Sequence, residues 1–125
     1  MSVCGHCRCQ QEDSEDAFKF PSVANKIDVY SSDKMAMYIT GRAIEVFAWG
    51  KLYRTSLFED IRFLLGRYHE DAYTTYKLVH KANKVVNTIM IGYAYRNNSY
   101  SIMNAGFTLK QLDSIYVKLE QSIFI

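Results

Sequence analysis

The sequence has no long apolar run, and its glycines and prolines are few. No stretch approaches the roughly 18 to 20 apolar residues that a membrane-spanning helix needs, and the amino-terminal residues lack the apolar segment of a signal peptide. The six glycines are scattered, which argues against a glycine-rich phosphate-binding loop. From these absences we expect an intracellular protein of a reducing compartment, nuclear or cytoplasmic, with no membrane partner.

Cysteine is restricted to the stretch Cys4-Gly-His-Cys-Arg-Cys9. Its first four residues match the active-site motif of protein disulfide isomerases, but that chemistry needs a helix start after a strand, and no strand is predicted before it. The same side chains have the soft donor atoms that zinc prefers. His69, His80 or another subunit would have to complete such a site, and the alternative is a set of cysteines with no cofactor. The candidate zinc ligands are Cys4, His6, Cys7 and Cys9.

Charge divides the chain into two parts. Residues 1–25 contain two basic and four acidic residues and the single proline, Pro21, whereas the remainder contains 13 basic and nine acidic residues. The polar stretch from Gln10 to Asp16 has no hydrophobic period. We therefore predict a flexible, cysteine-bearing acidic tail over residues 1–25 and a single α+β domain over residues 26–125.

Short runs of β-branched and aromatic residues indicate strands in the second part. Two capping boxes, Ser56 with Glu59 and Thr108 with Gln111, indicate the starts of two amphipathic helices. The predicted fold class is α+β: an antiparallel sheet of about six strands with both helices on one face, in an order that suggests an internal strands-helix duplication. The predicted strands are Lys26–Ser31, Met35–Thr40, Ala43–Trp49, Tyr73–Lys81, Val85–Arg96 and Ser99–Met103, and the predicted helices are Ser56–Tyr68 and the final stretch within Asn104–Ile125.

The final helix has an apolar stripe at helical spacing. Such a stripe packs on a sheet or joins subunits, so we expect it to stabilise the sheet and a homodimer or higher oligomer. The residues predicted at the oligomer interface are Leu112, Tyr116, Leu119 and Ile123.

Residue combinations typical of an active site are missing as well. Glu59-Asp60 lies at a predicted helix start and Glu70-Asp71 in a polar connection, where negative charge complements a helix dipole or is solvated. The serines lack the glycine-flanked turn that exposes a nucleophile. The sequence therefore predicts a protein without enzymatic activity.

The end of the chain has a strand-turn-strand-helix order. It consists of Ile89–Arg96, the turn Asn97-Asn98, Ser99–Met103 and the helix start Gly106–Leu112. This order resembles the end of the positive-cofactor-four-like transcriptional coactivators, and the plant Whirly proteins look like a doubled version with two sheets each followed by a helix. The resemblance implies single-stranded DNA or RNA held on the sheet face, and helices that build an oligomer.

The residue pattern is compatible with that function. Strand alternation would place lysines on one side of Tyr73–Lys81, and tyrosines follow on Val85–Arg96. Basic side chains attract phosphates, and aromatic rings stack bases at about 1 to 3 kcal/mol per base. The alternative is that the tyrosines pack against the helices and the lysines are solvated. The candidate nucleic-acid-binding residues are Lys77, Lys81, Lys84, Tyr93, Tyr95, Arg96 and Tyr100.

We therefore predict a non-enzymatic, oligomeric protein that binds single-stranded nucleic acid in transcription, replication or packaging and needs no cofactor. The alternative is a structural or assembly protein, such as a small viral gene product, whose tyrosine-rich surface binds other protein subunits.

Overall fold

The computed structural model describes residues 1–9, 26–98, 101 and 106–124, with the backbone alone at Ile89. Strands and helices are both present, which confirms the α+β class. In the described part of the chain the sheet has four strands, fewer than the six predicted, in the order β2-β4-β1-β3. The strands are β1 (Ser2–Cys9), β2 (Ile27–Tyr30), β3 (Lys51–Leu52) and β4 (Val85–Arg96), and the helices are α1 (Lys34–Ile39), α2 (Glu70–Lys81) and α3 (Asp113–Phe124).

Strand β1 lies inside the sheet, parallel to β4 and antiparallel to β3, while β2 is antiparallel to β4. The prediction of a tail is therefore wrong for Ser2–Cys9. The pairing begins at Ser2 opposite Val86 and ends at Cys9 opposite Arg96. Local composition does not reveal this strand, because its backbone partners come from the far end of the sequence. The acidic remainder of the predicted tail lies outside the described residues.

Helix α2 replaces the predicted strand Tyr73–Lys81. Its Tyr-Thr-Thr-Tyr segment favours a strand by propensity, but burial overrides propensity here, since Thr74, Thr75 and Tyr76 have no exposed surface. Glu70 and Asp71 in the first turn, with His80 and Lys81 in the last, also complement the helix dipole.

Three other predicted elements are wrong. Met35–Thr40 belongs to helix α1, for which its methionines and alanine have good propensity, and Ala43–Trp49 is irregular. Ser56–Tyr68 contains only a short 3-10 turn, Thr55–Phe58, in which no side chain caps the start. Helix α3 thus has no counterpart there, and Leu65 is 97 % exposed.

The core is formed by side chains from β1, β4, α2 and the segments between them. Fully buried members come from α2 and β4, and Ile44 adds a side chain from the irregular segment. The sheet and α2 therefore stabilise each other by packing, and α3 packs against α2 outside this core. The principal core residues are Val3, Ile44, Leu57, Tyr76, Leu78, Val79 and Val85.

The final helix is confirmed, with the predicted capping box between Thr108 and Gln111 at the 3-10 turn Leu109–Leu112 that precedes α3. The backbone N–H of Thr108 donates to Oε1 of Gln111 at 3.1 Å. The predicted strand Ser99–Met103 lies outside the described residues except for Ser101. In the part of the chain that the structure describes, no helix is long and apolar enough to cross a membrane.

Candidate functional site

Residues 44–50 form an irregular segment, here called the 44–50 loop, that leads into β3. An irregular segment inside a domain needs hydrogen-bond partners for its backbone, and this one finds them in neighbouring elements. Gly50 has a φ of 67°, which favours glycine, and brings the loop close to β1. The carbonyl oxygens of Val46, Phe47, Ala48 and Gly50 accept from Thr75 Oγ1 (2.7 Å), Lys51 Nζ, the Tyr53 hydroxyl (3.4 Å) and the Cys4 N–H (3.0 Å), respectively.

An aromatic cluster covers the junction of this loop with the sheet. Trp49 is stacked between Phe47, at a centroid distance of 4.4 Å and 8° between planes, and Tyr93, at 4.8 Å and 14°. Tyr95 lies against the same indole at 5.1 Å, and His6 meets it edge-on at 4.8 Å. Stacked and edge-to-face pairs of this kind each stabilise by roughly 0.5–1.5 kcal/mol beyond area burial. The cluster therefore fixes the loop on β1 and β4.

A cleft of about 540 Å³ lies on the other side of the loop. Its walls come from the end of α1, the loop, the start of α2 and one face of α3. Phe47 belongs to both the aromatic cluster and the cleft wall. Apolar side chains alternate with polar ones in the lining, as in sites for small polar molecules. The polar or charged lining residues are Tyr38, Thr40, Glu45, His69, Ser114, Lys118 and Gln121.

Helix α2 begins at the cleft. His69, which precedes it, has a φ of 61°, an unusual conformation for a non-glycine residue that costs on the order of 1–3 kcal/mol and is found most often at functional sites. Asp71 lies in the first turn between the cleft-lining residues His69 and Ala72. The Gln121 amide of α3 donates to the Ala72 carbonyl at 2.8 Å and joins the start of α2 to α3.

Burial and charge perturb several side chains around Asp71. Burial raises the pKa of Tyr38 well above its ordinary value, and the negative charge of Asp71 adds to that effect. Burial likewise raises the pKa of Tyr53 to about 12. For Lys51, burial lowers the pKa to about 8, although the charges of Glu45 and Asp71 oppose the shift. Perturbed groups that gather beside a cleft are a recognised feature of functional sites.

The predicted nucleic-acid-binding residues are not brought together. Lys77 and Lys81 lie on α2, in ion pairs with Glu120 at 2.9 Å and with Asp60. Lys77 also lies 3.7 Å from the centre of the Tyr73 ring. Lys84 accepts a hydrogen bond from the Met1 ammonium through its backbone carbonyl. Tyr93 and Tyr95 belong to the aromatic cluster, Arg96 is exposed at the end of β4, and Tyr100 lies outside the described residues.

The candidate zinc ligands lie along β1. Cys4 and Cys9 face backbone carbonyls of Gly50 and Tyr95, and His6 Nδ1 lies 3.5 Å from Glu45. Among the described residues, no three His, Cys, Asp or Glu side chains are placed to hold one metal ion.

The predicted oligomer interface lies on the outer side of α3 and on the 3-10 turn before it, which contains Leu112. Its four residues are exposed, from 45 % for Leu112 to 86 % for Ile123. The interface itself stays a prediction.

Sequence reasoning missed three residues that line the cleft, Glu45, Phe47 and Gln121, and two charged residues that interact with Glu45 or with each other, Lys51 and Asp71. One signal was available. The single tryptophan stands two residues after Phe47 and immediately before Gly50 and Lys51, an aromatic-glycine-lysine order that a regular strand does not explain. Glu70-Asp71 is explained as well by a helix dipole as by a site, so it gave no separate signal.

No family model matches the chain. Over 51 residues it is 43 % identical to a protein named glycosyltransferase GlyA from Streptococcus pneumoniae serotype 4 (strain ATCC BAA-334 / TIGR4). The match covers 41 % of this chain and 7 % of that protein, so the similarity concerns a small part of the relative.

Proposed function

We propose that this chain is a segment of a glycosyltransferase and that its cleft takes part in sugar transfer. The observation that carries the proposal is the 43 % identity over 51 residues to a protein with that name. The cleft supports it, because apolar walls beside hydroxyl, amide and carboxylate groups suit a ring with many hydroxyl groups. This proposal departs from the prediction of a non-enzymatic protein.

The reaction would move a glycosyl group from an activated donor to an acceptor hydroxyl. The bond from the anomeric carbon to the leaving group breaks, the acceptor oxygen bonds to that carbon, and the hydroxyl proton passes to a base. A positioned carboxylate can accept this proton. Two carboxylates are candidates: Glu45 lines the cleft, and Asp71 stands in the first turn of α2, next in sequence to the lining residue Ala72.

Asp71 is the better candidate for the base. The carboxylate of Glu45 is about half exposed and lies 3.5 Å from His6. Asp71 is half-buried and its Oδ1 accepts from the N–H of Ala72 at 2.7 Å, at the positive end of the α2 dipole. Its position is therefore fixed.

A binding experiment tests the proposal. Titrating the purified chain with neutral monosaccharides and disaccharides should shift the amide NMR signals of cleft residues such as Val117 and Gln121. A transfer assay with sugar nucleotides and labelled acceptor sugars should then give product. Signals that move equally across the protein, together with no transfer, would overturn the proposal.

Single-stranded nucleic acid is a second candidate, favoured by the rings of Tyr93 and Tyr95 beside the arginines of β1 and β4. Arg8 is paired with Tyr95 in the sheet register, and Cys9 with Arg96. Binding of a labelled oligonucleotide should then weaken steeply with salt, and Arg8→Ala with Arg96→Ala should flatten that slope. Salt-independent binding, or none, would remove this candidate.

An assembly role is the third, favoured by the exposed apolar side of α3. A homo-oligomer through Leu112, Tyr116, Leu119 and Ile123 would be seen in the mass of the purified protein, and Leu119→Glu should dissociate it. A monomer at all accessible concentrations would remove the predicted interface.

A further inference from the structure

Lys51 carries an ammonium group inside the fold that the proposed chemistry does not use. Its backbone belongs to β3 and is paired with Val3 of β1. Its side chain turns back toward the loop that precedes it and donates to the carbonyl of Phe47. Lysines are seldom buried without a partner, because removing the charge from water is costly. The partner here is a loop carbonyl, with two carboxylates nearby.

The carbonyl that Lys51 holds belongs to the residue shared by the cleft and the aromatic cluster. Thr75 of α2 holds the carbonyl before it, Val46, and Tyr53 holds the one after it, Ala48. Donors from separate elements thus fix three successive peptide groups. The central one decides which way the Phe47 ring points, because it sets the orientation of that residue's backbone.

Two carboxylates also act on Lys51: Glu45 of the cleft lining and Asp71 of the first turn of α2. Both favour the charged amine, against the effect of burial. They therefore help to keep Lys51 as the ammonium that donates to the Phe47 carbonyl.

We propose that Lys51 is a positioning residue of the cleft, which fixes Phe47 through its backbone carbonyl. The role in positioning is independent of the reaction. Its consequence for catalysis rests on the proposed glycosyl transfer.

Trp49 is the single tryptophan of the chain, so its fluorescence reports the loop directly. Lys51→Met keeps most of the side-chain volume and removes both charge and donor, whereas Lys51→Arg keeps both. We expect Lys51→Met to shift the Trp49 emission to longer wavelength and to raise its acrylamide quenching constant at least twofold. Lys51→Arg should stay near wild type.

A matched control separates positioning from general loss of stability. Val79→Ala weakens the core on α2, and Val79 makes none of the loop hydrogen bonds described above. It should lower the unfolding midpoint without changing the Trp49 emission of the folded protein. If Lys51→Met does not fold, as judged by far-ultraviolet circular dichroism, Lys51→Leu takes its place, because it also removes both the charge and the donor.

Backbone NMR gives the second measurement. The amide signal of Ala48, whose N–H belongs to the same peptide group as the Phe47 carbonyl, should move in Lys51→Met, or in Lys51→Leu where that replaces it, and stay near its wild-type position in Lys51→Arg. A folded variant without the donor that keeps wild-type Trp49 emission and the wild-type Ala48 signal would overturn the proposal. If these measurements agree with it but no sugar is bound or transferred, positioning by Lys51 stands and the glycosyltransferase proposal fails.

Discussion

The two sides of the cleft are the 44–50 loop, which is irregular but well packed, and helix α3, which is regular but exposed on its outer side. The 44–50 loop has no regular secondary structure, yet four of its carbonyls have donors and its rings are stacked. Helix α3 follows a capping box, yet Leu119 and Ile123 on its outer side are 60 % and 86 % exposed. A helix satisfies its backbone internally, whereas burial of a side chain needs a neighbour. The presence of regular secondary structure therefore does not indicate which surface is covered by the rest of the protein.

The loop and α3 also depend on different contacts. The loop takes its donors from β1, β3 and α2, so it can form only when those elements are assembled. Helix α3 contacts the remainder through Val117, Gln121 and two ion pairs, Arg67 with Asp113 at 2.8 Å and Lys77 with Glu120 at 2.9 Å. The first region is determined by the fold, and the second leaves an apolar side available to a partner.

The largest expected effect lies at α2, where the two sides meet. Asp71→Asn should lower the rate of sugar transfer by about 10²–10⁴-fold, because the amide cannot accept the acceptor proton. Sugar binding in NMR titrations should change little. The control is Asp60→Asn, which removes an exposed carboxylate paired with Lys81 away from the cleft. Equal activity in both variants would contradict the role of Asp71.

The next largest effect compares how much the 44–50 loop and α3 each contribute to the free energy of unfolding. Trp49→Ala should lower the free energy of unfolding by about 2 kcal/mol, since it removes the central ring of the stack. Leu119→Ala should change it by less than about 0.5 kcal/mol, because that side chain is mostly in water. Urea unfolding measures both. A large loss for Leu119→Ala would mean that the outer side of α3 is covered, as in the predicted oligomer.

A smaller effect tests the attachment of α3. Gln121→Leu keeps the volume of a buried side chain but removes its hydrogen bond to the Ala72 carbonyl, at a cost of about 1 kcal/mol. The loop should be unaffected, so Trp49 emission should not move. Ser122→Ala is the control on the same helix, because its exposed hydroxyl donates to the Leu119 carbonyl of α3 itself. A change in Trp49 emission would show that the two sides are coupled.

A further effect is a pH dependence of stability from the loop. Burial lowers the pKa of Lys51 to about 8 in the folded protein, against about 10.4 in the unfolded chain. The unfolded chain then binds more protons between these values, so stability should rise with pH across this window. Lys51→Met should lack this rise.

The measurement is urea unfolding of both proteins at steps from pH 8 to about pH 9.5. The range stops there because burial raises the pKa values of Tyr38 and Tyr53, so their contribution to stability is lost above about pH 10. A difference between wild type and Lys51→Met that is flat or falls with pH would contradict a buried Lys51.

The elements that could be predicted from the sequence are determined by interactions between residues close together in the chain. Val85–Arg96 is β4 with the predicted bounds, and the Thr108–Gln111 capping box stands where its spacing placed it. In both, the decisive interactions are intrinsic strand preference or contacts within four residues. The α+β class followed from them.

The elements that the sequence did not predict depend on contacts between residues far apart in the chain. Cys4 and its neighbours form a strand because β4 pairs with them, and Thr75 is helical because burial and the charges of α2 outweigh its preference for a strand. The candidate site was missed for the same reason. Its residues come from α1, the loop, α2 and α3, and no spacing along the chain joins Glu45 to Asp71 or Phe47 to Gln121.

The pairing of β1 with β4 also constrains the order in which the chain can fold. Ser2 is opposite Val86 and Cys9 is opposite Arg96, so most of the sequence lies between the two partners. During synthesis β1 leaves the ribosome before β4 and has no parallel partner until β4 follows. Contacts between such distant residues slow folding, because a long loop must close before they form. We therefore expect the central strand of the finished sheet to be among the last to dock, and its three thiols to be exposed to the solvent until then.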